Sequence, residues 1–74
     1  MGRLPACTSA DVARVLRRAG FVLDPQKGSH AQFVHPQTRR MTTLPMHGGD
    51  LKRGLLRGIL KDAGLTEDEF RRLL

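Results

Sequence analysis

Lys27-Gly28-Ser29-His30-Ala31-Gln32-Phe33-Val34-His35-Pro36 is the stretch on which the fold turns. Lys27-Gly28-Ser29 has the composition of a turn, and residues 30–35 have the character of a strand. Pro36-Gln37-Thr38 supplies a second turn, and residues 39–44 read as a further strand that Pro45 closes. Upstream, Phe21 and Leu23 share one side of an earlier strand whose length Pro25 limits. Three strands joined by short turns predict an antiparallel meander.

Helices flank the strands. Thr8 resembles an N-cap, with Asp11 three residues on as a capping-box partner. Val12, Val15, Leu16 and Ala19 then fall on one helical face, and Gly20 stands where a left-handed residue ends the helix. Residues 1–7 read as a short irregular lead. After the loop Pro45–Asp50, Leu55, Leu56, Ile59, Leu60 and Ala63 make the apolar face of a second helix that Gly64 ends. Arg53, Arg57 and Lys61 recur at i, i+4 and i+8 as a basic stripe on another face, and Gly54 and Gly58 suit close approach of a neighbouring backbone. Thr66 with Glu69 and Leu65 with Phe70 give a capping box and hydrophobic staple for a short helix over 67–73.

The expected fold is therefore α+β: a helix, a three-stranded antiparallel sheet, a second helix and a short C-terminal helix, in one domain over residues 1–74. Each main helix has one apolar face, so both should cover the same face of the sheet and leave the other to solvent. Strand alternation then sorts the middle strand. Phe33 should face the helices with Ala31 and His35, and His30, Gln32 and Val34 should lie on the open side.

Composition narrows the function. The chain carries 13 Lys and Arg against 7 Asp and Glu, a net charge of +6. That balance favours a polyanionic partner, because neutralised phosphates release counterions. There is no Trp or Tyr and only three Phe, so contact through phosphates and shape is expected over base stacking. A single cysteine, Cys7, excludes an internal disulfide and suits a reducing cytoplasm. No apolar run has signal-peptide or membrane-span length, so a soluble cytoplasmic protein is expected.

His30 stands out as the candidate proton-transfer group, since an unperturbed imidazole exchanges protons near neutral pH. By default a lone histidine in a small fold is a surface or hydrogen-bonding residue, and His35, before Pro36, fits that role. His30, His35 and His47 lack the paired spacings of zinc ligands, and no carboxylate cluster accompanies them, so neither metal nor cofactor is expected. Gly48-Gly49 before a helix has a faint anion-binding character.

Taken in order, Ala19-Gly20-Phe21, Gln26-Lys27-Gly28-Ser29-His30, Phe33, His35-Pro36, Pro45-Met46-His47-Gly48, Leu51-Lys52, Leu56-Arg57, Ile59-Leu60 and Ala63-Gly64-Leu65 resemble the HicA toxin family over about residues 8–74. The resemblance implies a fold like the double-stranded RNA-binding domain, α-β-β-β-α with an added helix. It also implies a toxin that cleaves messenger RNA and is held in check by a HicB antitoxin, with the motif histidine at His30. Asp24-Pro25 and Arg53-Gly54 depart from the family pattern; the Gly-Ser-His core of the motif does not.

On that reading the chain is a metal-independent endoribonuclease, an mRNA interferase, with His30 as general acid or base. Lys27 and the nearby Arg39 or Arg40 would stabilise phosphate charge. Ser29 would hydrogen-bond phosphate or only hold the turn, and His47 is the candidate second proton-transfer group if its loop folds near the sheet edge. Lys52, Arg53, Arg57 and Lys61 would grip the RNA backbone. The competing reading is a non-catalytic RNA-binding module of the same fold, which would leave RNA intact. A third, compatible with the first, is that the basic surface docks an acidic protein partner.

Overall fold

The structure, a computed structural model, describes residues 4–24, 30–46 and 48–74. Pro25, Lys27, Ser29 and His47, each singled out by the sequence, lie outside the described residues. The elements follow the expected order: α1 (Ser9–Arg18), β1 (Val22–Leu23), β2 (Ala31–Val34), β3 (Met41–Leu44), α2 (Arg53–Ala63) and α3 (Glu67–Leu73). Among the described residues, no helix is long and apolar enough to cross a membrane.

Local signals set the helix ends. The Thr8 hydroxyl accepts from the Asp11 N–H at 3.2 Å, and the Asp11 carboxylate accepts from the Thr8 N–H at 3.0 Å. Thr66 and Glu69 repeat the arrangement at α3. Each box satisfies two backbone donors that a bare helix start would leave open. Gly20, at φ +100°, lets Phe21 N–H reach Leu16 C=O and Gly20 N–H reach Arg17 C=O. Gly64, at φ +74°, closes α2 with the same pair of bonds, from Leu65 to Leu60 and from Gly64 to Lys61. Only a residue without a Cβ adopts these angles at little cost.

The sheet order is β1-β2-β3, antiparallel throughout, with Val22 opposite Val34 and Ala31 opposite Leu44. Alternation assigns the two faces as expected. Phe33, Thr42 and Leu44 are buried against the helices and Ala31 packs on the same core. Gln32, Val34, Met41, Thr43 and Val22 fall on the other side, where Val22 is 54 % exposed and Met41 47 % exposed. Leu23, opposite Phe33, stays half-exposed at the sheet edge. The strands are shorter than the alternation suggested. His30 lies in a bend before β2, and Arg39 sits in the loop at φ +68°.

Burial adds to one expectation and departs from another. The lead is irregular, yet Leu4 and Cys7 are fully buried in the core beside Val12, Leu16, Leu56 and Phe70. It is fastened there: Leu51 N–H donates to Cys7 C=O, Thr8 bridges Asp50, and Arg53 Nε donates to Leu4 C=O at 3.0 Å. The departure concerns α2. Leu55 is 42 % exposed and outside the core, because it lies at the flank of a face centred on Leu56, Ile59, Leu60 and Ala63. Gly54 and Gly58 bring no backbone close, for a Cβ on either would meet nothing within 4 Å. They leave part of α2 bare.

Candidate functional site

Three contacts fix the direction of the main helices. Ser9, at the start of α1, hydrogen-bonds the carbonyl of Pro45, just beyond β3. Gly20, past its end, lies under His35, just beyond β2. Arg40, before β3, lies against Gly64 at the end of α2. Both helices therefore start at one end of the sheet, where β2 begins and β3 ends, and finish at the hairpin end.

The starting end holds His30. Its side chain is exposed, one residue before Ala31, whose opposite number is Leu44. The exposed Met46 and the beginning of α2 belong to the same end. Lys52 is the N-cap residue of α2 and makes no side-chain capping bond, and the first turn contains no acid. The first N–H groups of that helix thus lack the side-chain acceptor that Thr8 and Thr66 supply elsewhere. Their partial positive charge, with Lys52 and Arg53 beside them, makes this end attractive to phosphate. Sequence reading missed this feature. The signal was present, since Lys52 occupies a position where Ser, Thr, Asp or Asn is usual.

The hairpin end holds His35, Arg39 and Arg40. His35 N–H donates to Arg40 C=O and Arg39 N–H to His35 C=O, closing a loop over residues 36–39. The His35 Nδ1 accepts from the backbone N–H groups of Gln37 at 3.2 Å and Thr38 at 3.3 Å. Its ring meets Phe21 edge-on at 5.1 Å. His35 is thus a structural residue of the turn. Arg39 and Arg40 are exposed, but β2 and β3 separate them from His30. Four residues of strand span roughly 13 Å. The structure therefore does not bring these arginines together with His30. They face a different part of any bound polyanion.

The basic stripe of α2 is exposed and partly engaged. Arg53 is tied to Leu4, and Arg57 lies 3.4 Å from Glu67. The second is an exposed pair of the kind worth at most about 1 kcal/mol. Lys52 and Lys61 are exposed and make no ion pair among the described residues. Cys7 is a poor nucleophile: burial raises its thiol pKa, and the Asp11 and Asp50 carboxylates add to the rise against a smaller effect of Arg14. Among the described residues, no three His, Cys, Asp or Glu side chains gather to hold a metal ion.

No curated protein matches the chain significantly. A family model does, under the description HicA toxin of bacterial toxin-antitoxin, over residues 9–65. The match begins at the first residue of α1 and ends one residue past Gly64, so it takes in both main helices and the whole sheet. It spans well over half of the sequence, and the chain accordingly belongs to the HicA family of toxins from bacterial toxin–antitoxin systems.

Proposed function

We propose that this toxin is an mRNA interferase, a metal-independent endoribonuclease in which His30 carries the proton transfer. The observation that carries the reading is the placement of an exposed His30 at the end of the fold where the basic, side-chain-uncapped start of α2 opens. RNA supplies its own nucleophile. The 2′-oxygen bonds to the adjacent phosphorus, the bond from phosphorus to the 5′-oxygen breaks, and one proton leaves the former as another joins the latter. His30 takes or gives one of these protons, a role worth about 10²–10⁴-fold. Lys52 and the first N–H groups of α2 stabilise the charge on the phosphorane. Lys27 and Ser29, three residues and one residue before His30 in the sequence, are assigned to phosphate, and His47 to the second proton. Arg39, Arg40, Arg53, Arg57 and Lys61 hold the flanking RNA backbone. A HicB-type antitoxin restrains the activity in the cell.

The test is incubation of purified wild-type chain and His30→Ala with end-labelled RNA, with chelator present. Wild type should cleave, and the variant should lose at least a hundredfold in rate with an unchanged circular dichroism spectrum. Full activity in His30→Ala would overturn the assignment. Intact RNA with wild type, bound with a steep salt dependence, would favour the non-catalytic module.

A further inference from the structure

A slot with a volume of about 550 Å³ runs between β3 and α2. Met41, Thr42 and Thr43 line one side, and Gly54, Leu55 and Gly58 line the other. The strand register explains why the slot suits a polypeptide. His35 bonds to Arg40, so the hydrogen-bonded pairs of the hairpin continue as Phe33–Thr42 and Ala31–Leu44. Met41 and Thr43 consequently turn their N–H and C=O groups away from β2, toward the outer edge of the sheet. An edge of this kind is a template for one more strand. The two glycines keep the facing helix surface bare, with no atom within 4 Å of where a Cβ would stand. Met41 and Leu55 give the slot apolar walls. Thr42, 2 % exposed, carries a hydroxyl with no hydrogen-bond partner among the described residues.

We infer that this slot receives an extended segment of the antitoxin partner, which adds to the sheet as a fourth strand along β3. The inference rests on the toxin–antitoxin pairing of the family and is independent of the nuclease reading. A second copy of the chain would bring its own +6 against the first, which disfavours self-pairing. Arg40, the residue before β3, lies against Gly64, and Lys61 is exposed on α2, both outside the lining. Asp62 is the one charged residue in the lining, so the slot itself selects by backbone pairing and apolar contact. The outward-facing backbone groups match another backbone in alternating register and have no counterpart in a nucleic acid strand. A segment of four residues, roughly 13 Å long, covers β3.

The test uses the complex of this chain with its cognate antitoxin, co-expressed in the His30→Ala background so that binding is read apart from cleavage. Amide exchange at Met41 and Thr43 should slow at least tenfold in the complex relative to the chain alone. Gly58→Leu fills open space on a helix and keeps the fold; it should weaken the complex at least tenfold. Thr43→Pro removes one outward N–H at a sheet edge, where proline is tolerated, and should do the same. Unchanged exchange at both amides, or wild-type affinity in both variants, would overturn the inference. So would Gly58→Leu weakening RNA binding while sparing the antitoxin, which would make the slot a nucleic-acid groove. A wild-type dimer in sedimentation that Gly58→Leu splits would also overturn it, in favour of a second copy.

Discussion

Gly20 and Gly64 each meet two demands at once. Their positive φ angles let the helices end, and each also leaves room for a side chain from the hairpin. A Cβ on Gly20 would stand 2.8 Å from the His35 Nε2, and one on Gly64 would stand 2.7 Å from the Arg40 Nε. Gly20→Ala and Gly64→Ala should each lower stability by roughly 1–2 kcal/mol through the backbone alone. Displacement of the imidazole, which is held by Gln37 and Thr38, should make Gly20→Ala the costlier. Chemical denaturation of the two variants checks the order. The sequence announced both glycines as helix stops, because their place after an apolar helical face is a local signal. It did not announce the overlying side chains, since no local pattern tells which distant residue will settle on a terminal glycine.

Among the elements, the two capping boxes carry the pH dependence. The Thr8 backbone N–H, followed by the Thr8 hydroxyl, holds the Asp11 carboxyl below its usual range, and Thr66 acts on Glu69 in the same order. A carboxyl depressed in the folded state contributes stability above its unfolded pKa and loses it as pH falls through the folded value. With ordinary values of about 3.9 and 4.3, the contribution should hold from neutral pH to about 5 and fade below that. Urea midpoints measured across that range should fall on the acid side. The double variant Asp11→Asn/Glu69→Gln, which removes both carboxylates, should show a shallower acid decline. An identical decline would remove the caps from the account. These boxes were legible because four consecutive residues define each one. The second helix was less so. Its apolar face is one residue narrower than the spacing predicts, at Leu55, and its missing cap at Lys52 is marked only by the lack of a Ser, Thr, Asp or Asn there.

For the whole molecule, helix direction divides the positive charge into two stations. Lys52 and the open start of α2 share an end with His30, whereas Arg39 and Arg40 occupy the hairpin. Lys52→Gln should therefore slow single-turnover RNA cleavage about tenfold. Arg39→Gln should leave that rate within about twofold while weakening binding and flattening the salt slope by roughly 0.7–0.9. Equal effects of the two on the cleavage step would contradict the separation. Strand order and face were legible from alternation about Phe33. The placement of the arginines was not, because it depends on how α2 returns along β3. Burial of Leu4 and Cys7 was hidden too, as an irregular segment has no periodicity to betray its inner side. The paired residues His35 and Arg40 finally bear on how the chain avoids misalignment. They stand opposite one another at the base of one hairpin, each fitting over the terminal glycine of a different helix. A slip of β2 against β3 by a single residue would carry at least one of them off its seat, so the helix ends act as a gauge that accepts one alignment of the strands and rejects its neighbours.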